Sequence, residues 1–298
     1  MTTTMPKPAP IEAPIKRSIA ARISSATESP LIQAFLAFVA LIWIVPALGL
    51  LISSLRPESA NSASGWWTIF TKPGELTLDN YRSLLSNSDI TKSFLNTVLI
   101  TVPSTLLVII IGAMAAYAFS WLEFAGRDML FVVVIGLLVV PIQIALIPIA
   151  QLFGNLHIFG SIPSVIAFHV SFGLPFAIFL LRNFFVGIPR ELLEAARMDG
   201  ASEWRIFSRV VLPLGLPAIA SLGIFQFLWV WNDLLVGLIF TNAGSKPLTV
   251  YLSGQTRQFG SSIDVLSSGS FLSLIVPLLV FFAFQRFFIQ GMMAGSVK

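Results

Sequence analysis

Side chains that could carry out chemistry are sparse in this chain of 298 residues. Cysteine is absent, and the only histidines, His157 and His169, belong to no HExxH pattern. Thiolate chemistry and disulfides are excluded. No GxSxG elbow supplies a serine nucleophile, and no GxxxxGK[ST] loop cradles a nucleotide phosphate. Two features remain. One is the run "RELLEAARMDGASEWRIFSRVVLP" from Arg190 to Pro213, where Arg190, Arg197, Arg205 and Arg209 are balanced by Glu191, Glu194, Asp199 and Glu203. The other is Asp233, an acid set within a long apolar stretch. Both are suited to binding rather than to catalysis, so the energy for any work must come from a gradient or from another chain.

The elements that hold these residues are dictated by composition. The chain is 56% hydrophobic and 11% charged, with 26 Phe, and its mean hydropathy is +0.87. A helix of about 20 apolar residues crosses a bilayer core. Six stretches qualify, near residues 31–55, 93–120, 128–150, 161–184, 212–240 and 268–290. They are too long, and too little alternating, for the strands of a membrane barrel. The fold class is therefore all-α, a polytopic membrane protein with six transmembrane helices over residues 31–298. Residues 1–30, rich in Pro, Ser, Thr and Ala, read as a flexible tail. Small residues after the first apolar run resemble a signal cleavage site, but the uncharged stretch from Leu31 to Leu55 exceeds a signal core and reads as an uncleaved span.

Orientation follows from Lys and Arg. With a cytoplasmic N-terminus, Lys7, Lys16, Arg17, Arg22, Arg127, Arg182, Arg190, Arg197, Arg205, Arg209, Arg286 and Lys298 lie inside. Only Arg56, Lys72, Arg82, Lys92, Lys246 and Arg257 lie outside. Both termini and the loop at 188–213 are thus expected in the cytoplasm. The net charge of +4 is accounted for by this bias and by anionic membrane lipid, and calls for no nucleic acid.

Within the loop, Pro189 suits the start of a helix and Asp199-Gly200 its end. Ser202 is placed to cap a second helix, on which Trp204, Phe207 and Val211 recur at helical spacing as one apolar edge. A DNA-binding helix-turn-helix has similar spacing, yet the balanced charges offer no basic face to phosphates. A helix pair lying on the membrane surface would favour a more cationic face.

A third reading rests on resemblance. Glu194-Ala195-Ala196, then Gly200, then Val210-x-Leu212-Pro213 is similar to the EAA signature of the permease subunits of ABC importers, with Val210 in place of the common Ile. Further stretches resemble the maltose-type carbohydrate branch, specifically the shorter of its two membrane partners. They include residues 94–127, "PIQIALIPIAQLFGNLHIFGS" at 141–161, 174–189, "FLWVWNDLLVGLIF" at 227–240 and the tail at 285–298. The resemblance implies a multi-pass protein of the prokaryotic inner (cytoplasmic) membrane that imports sugars, such as oligosaccharides or glycosides. It implies that Glu194, Ala195, Ala196, Asp199, Gly200 and Ala201 form a coupling helix docking on an ATPase. It also implies the partners: a second homologous permease, two ATP-binding subunits that carry ATP and Mg, and an extracytoplasmic solute-binding protein. No cofactor is expected on this chain itself.

The branch also has an outer loop that enters the binding protein's cleft. Thr241–Ser267 occupies that place, with Thr249, Gln255 and Arg257 as candidate contacts. Its glycines and serines suit a mobile probe, and equally a plain connector. Gly291–Lys298 would end between the ATPases, as the family's tail does.

For the solute path, Gly223, Gln226, Val230, Asp233 and Gly237 fall on one face of a continuous helix. With Asn232 they form either a wall of the pathway or a packing seam with an aspartate hydrogen bond. His169 is expected to be packed and hydrogen-bonded, and His157 to be solvated. Trp66, Trp67, Phe70 and Tyr81 read as interfacial anchors. Pro103, Pro141, Pro148, Pro175, Pro217 and Pro277 predict kinked spans. The rival reading is a gradient-driven secondary transporter or channel, for which Asp233 alone could serve as a coupling acid and for which no internal repeat is evident.

Overall fold

The computed structural model describes residues 29–258 and 263–294, and the side chains of 29–255 and 265–286. Residues 1–28 of the expected tail at 1–30, the side chain of Arg257 and the chain end at 295–298 lie outside the described residues. Every regular element described is helical. In chain order these are α1 (Pro30–Ser54), α2 (Glu58–Ala63), α3 (Asp79–Ser86), α4 (Ser88–Trp121), α5 (Arg127–Leu137), α6 (Ile142–Asn155), α7 (Ile162–Phe185), α8 (Arg190–Met198), α9 (Glu203–Ile206), α10 (Leu212–Trp231), α11 (Leu235–Phe240), α12 (Leu248–Gln258) and α13 (Ile263–Ala294). A π turn at Phe207–Val211 joins α9 to α10 without a break.

Among the described residues, five helices are long and apolar enough to cross a bilayer, and α5 with α6 makes a sixth if the bent pair counts as one span. Two expected spans are corrected. The stretch at 128–150 is not one helix, because α5 and α6 meet at a bend of 101°. Pro141 stands at the head of α6 in extended backbone, having no N–H to continue the helix before it. The stretch at 212–240 stops at Trp231 and resumes at Leu235. Pro103, Pro148, Pro175, Pro217 and Pro277 all sit inside helices.

The chain divides into two compact units, Met1–Gly49 and Leu50–Lys298. In the first, α1 presents Leu31, Phe35 and Trp43 as exposed apolar side chains, a surface suited to lipid. In the second, α4, α7 and α10 form the core. Val108, Ala113, Ala116 and Tyr117 of α4 pack with Ala177, Leu181 and Phe185 of α7 and with Ala218 and Leu222 of α10. Small residues let the backbones approach, as in membrane helix packing generally. A Cβ added at Gly112 would lie 2.9 Å from Ala177 Cβ.

The segment between α1 and α4 is gathered around Arg56. Counted in the sequence as an outer positive charge, it is instead fully buried. Its guanidinium donates to Glu75 at 3.1 Å, to Ser64 Oγ at 2.8 Å and to the carbonyls of Ala60 and Gly65 at 3.1 Å each. A planar five-donor fork suits such a hub of acceptors. Trp67 and Phe70 are exposed, as interfacial anchors would be. Tyr81 differs, because it is half-buried and its hydroxyl shares a hydrogen bond of 2.6 Å with Ser54 Oγ.

Gly112→Leu is expected to lower stability by about 1–3 kcal/mol, the usual effect of overpacking a close contact. Gly136→Leu, where a Cβ meets nothing within 4 Å, should be near neutral. Melting midpoints of the two variants in detergent check this, and equal midpoints would refute the tight α4–α7 contact.

Candidate functional site

The charged loop is a folded unit built on the bundle. α8 begins after Pro189, whose extended backbone turns the chain into it. Leu193 is its inward anchor and is fully buried. The helix ends where Asp199 N–H and Gly200 N–H donate to Ala195 and Arg197 carbonyls, each at 3.0 Å. Gly200 then takes φ +77°, the left-handed region that side chains resist. Ala201 N–H returns to the Ala196 carbonyl at 3.0 Å. Ser202 starts α9 through its carbonyl, which accepts from Arg205 and Ile206 N–H at 2.8 and 3.0 Å; its hydroxyl does not cap.

The expected apolar edge is only partly correct. Ile206, Phe207 and Val211 are buried against Tyr117 and Phe185, but Trp204 is 66% exposed. With Leu192 and Met198 it leaves an apolar surface among the exposed Ala195, Asp199 and Gly200. Glu194 is exposed and accepts from Arg190 Nε at 2.8 Å.

Sequence reasoning missed Tyr117. Its hydroxyl donates to Glu203 Oε2, and the same carboxylate accepts from Arg197 Nε at 2.9 Å and Nη2 at 3.4 Å. That bond raises the Arg197 pKa. Arg197 also reaches the Trp121 carbonyl at 3.5 Å. Nothing local signals the Tyr117–Glu203 pair, whose members are 86 positions apart. Beside it opens a polar cavity of about 480 Å³ whose walls include Ser120, Glu123, Arg127 and Arg190.

Asp233 lies in the break between α10 and α11. Its Oδ2 accepts from Gly237 N–H at 3.0 Å, and its Oδ1 lies 3.4 Å from Val236 N–H, so the carboxylate caps α11. Its carbonyl accepts from Thr249 Oγ1 at 2.6 Å. The single-face stripe from Gly223 to Gly237 therefore does not exist, because helical periodicity is interrupted at Asn232. Asn232 is exposed and bonds back to the Leu228 carbonyl at 2.8 Å.

Gln226 is buried on α10 and lies against Gly173, where a Cβ would stand 2.8 Å from its amide atoms. One turn earlier on α7, His169 is 1% exposed. Its Nδ1 lies 2.9 Å from the Val165 carbonyl and its Nε2 is 3.8 Å from Asp233 Oδ2. It is packed and hydrogen-bonded, as expected. His157 is exposed, at φ 57° in a turn.

The described part of the segment at Thr241–Ser267, read either as a probe or as a connector, is docked. Asn96 Nδ2 donates to the Gly244 and Lys246 carbonyls at 3.1 Å each, and Leu248 N–H donates to Thr97 Oγ1 at 2.8 Å. Ser245 Oγ donates to the Gly160 carbonyl at 2.7 Å. Thr249 is half-buried and turned toward Asp233 rather than outward, and Gln255 is half-buried on α12. Gly244 sits in a turn and Gly254 inside α12, while Gly260 lies outside the described residues.

Residues 108–293 match the family described as the binding-protein-dependent transport system inner membrane component. The chain is 47% identical over 265 residues to the osmoprotective compounds uptake permease protein GgtD of Synechocystis, covering 87% of this chain and 89% of that protein. It is 46% identical over 255 residues to the alpha-glucoside transport system permease protein AglG of Rhizobium meliloti, covering 83% and 67%. The fold is similar to that of a solved bacterial ABC transporter chain involved in importing alginate, with a TM-score of 0.73 and 22% identity over 91% of this chain and 98% of that one.

Asp233→Ala removes the acceptor for the first turn of α11 and should lower the melting midpoint by an amount corresponding to about 1 kcal/mol. Asp233→Asn keeps one acceptor oxygen and should lose less. Thermal unfolding of both in detergent measures the difference, and an Ala variant as stable as wild type would remove the capping role.

Proposed function

Because the chain belongs to the inner-membrane component family of binding-protein-dependent transport systems, we propose that it forms one half of the solute pathway of an ATP-driven sugar importer. The other half is a second, homologous permease. Two ATP-binding subunits hold ATP and Mg and dock on α8 and α9, while an extracytoplasmic solute-binding protein delivers the sugar at the opposite end. No cofactor resides on this chain. The substrates are oligosaccharides or glycosides, with α-glucosides the first class to test. That choice follows the α-glucosides in one relative's name.

The observation that carries this reading is the α8–α9 unit. It is anchored by buried Leu193 and Ile206, and it shows exposed Leu192, Met198 and Trp204 amid charge. Apolar anchors inside a polar rim suit a separable protein partner. Glu194, Ala195, Ala196, Asp199, Gly200 and Ala201 form the coupling surface. The positive-inside bias supports placing this end, and both termini, in the cytoplasm of a prokaryotic cell whose inner membrane holds the protein.

On the other side, Gln226 and Asn232 border the sugar path, and Asp233 braces it through α11. Thr249, Gln255 and Arg257 belong to the segment facing the binding protein. Thr249 acts there by fixing α12 to Asp233.

Gly200→Val tests the coupling unit without a steric clash, since a Cβ there meets nothing within 4 Å. The strain of positive φ alone should cost about 1–2 kcal/mol and misdirect α9. Glu194→Lys reverses charge at the surface instead. Both variants should insert and pair with the second permease, yet lose co-purification of the ATP-binding subunits and uptake of a radiolabelled α-glucoside. Retention of both properties in both variants would refute ATPase docking at this loop.

A further inference from the structure

Besides the apolar packing of Leu193 and Ile206 with Phe185 of α7, the α8–α9 unit is joined to the bundle at two places of different kind. Toward α4 the contact is rigid. Glu203 holds Tyr117, one turn before the end of α4, and Arg197 of α8 with the same carboxylate. Arg197 extends the link to the Trp121 carbonyl at the end of α4, where a cation also meets the negative end of the helix dipole. Tyr117 is 4% exposed, and its ring lies 5.2 Å from that of Phe207. One carboxylate thus ties both halves of the helix pair to one membrane helix through charge-assisted hydrogen bonds.

Toward α10 the contact is a joint. The chain passes from α9 into α10 through the π turn, closed by Leu212 N–H donating to the Phe207 carbonyl. A π turn holds one residue more than an α turn. It can pass that residue along the helix with little loss of bonding, and such bulges recur at functional positions. The covalent neighbour α10 is therefore the softer connection, and the sequence-distant α4 the stiffer one.

We propose that Glu203 is a positioning residue that transmits displacement of the α8–α9 unit to α4, with the π turn at Phe207–Val211 absorbing the difference at α10. This rests on the reading of α8–α9 as the ATPase-docking unit. In a purely structural role, loss of the strut would loosen the loop and lower ATPase docking and transport together. A transmitting strut leaves docking and hydrolysis in place and lowers the solute moved per ATP.

The natural absence of cysteine allows clean spin labelling. In the complete transporter, labels at Glu191→Cys and Ser120→Cys report α8 against α4, and labels at Glu191→Cys and Leu214→Cys report α8 against α10; Glu191 is exposed on α8 outside the docking surface. Distances are measured by pulsed electron resonance at rest and after trapping with ATP, Mg and orthovanadate. In the wild-type background the first distance should hold while the second shifts. With Tyr117→Phe or Glu203→Gln the first should shift as well.

In the unlabelled variants, ATP-binding subunits should co-purify and hydrolyse ATP as in wild type. Uptake of a radiolabelled α-glucoside per ATP should fall about tenfold, the factor for losing one hydrogen bond to a charged group. Tyr117→Phe keeps the ring packing, so its loss of coupling isolates the hydroxyl. A first distance that shifts in wild type as much as the second, or wild-type coupling in both variants, would overturn the strut alone. Parallel loss of docking and uptake would overturn it in favour of a structural clamp. Failure of the wild-type transporter to retain its ATP-binding subunits would instead overturn the docking reading from which the strut follows.

Discussion

Inside a bilayer no water is available to a freed backbone N–H or C=O, so each place where a helix breaks must supply its own partners. This constraint organises the breaks in the chain. Between α5 and α6, Leu138, Val139 and Val140 N–H fall back on the carbonyls of Ile135, Gly136 and Leu137, tightening the last turn before Pro141. Between α10 and α11 the partners are side chains: Asp233 caps the new helix, Asn232 turns back to Leu228, and Thr249 takes the Asp233 carbonyl. The π turn keeps the chain helical from Glu203 to Trp231 by closing one residue later.

The same constraint explains why the polar residues are shared between elements. Asp233 was expected on a helix face, where burial of its charge would need an offset. A helix start supplies that offset through N–H groups, and the aspartate is thereby committed to structure. His169 stays buried 3.8 Å from it and packs against Trp229, and Gln226 stays buried against Gly173.

Within the second unit, α4 connects two sets of contacts. Its 34 residues extend about 50 Å at 1.5 Å per residue. Asn96 and Thr97 near one end hold the segment before α12, and Tyr117 and Trp121 at the other hold α8 and α9. A single helix thus touches both of the surfaces that the proposed function assigns to partners.

Hydropathy alone determined the helical class and the positions of α1, α4, α7 and α13, because a membrane span is encoded by a local run of apolar residues. The turn at Gly200 was equally legible, since a helix stop is a matter of a few neighbouring residues. Three things were decided by tertiary structure. Asp233 became a cap rather than part of a stripe, since its partners include Thr249 across a break that periodicity does not register. The segment after Thr241 became docked, because its acceptors and donors sit on Asn96 and Thr97, some 150 positions away. Glu203 joined Tyr117 instead of serving as one more balanced surface charge. Hydrophobic runs and turns are written in adjacent residues, whereas a hydrogen bond between distant residues exists only once packing has brought donor and acceptor within about 3 Å.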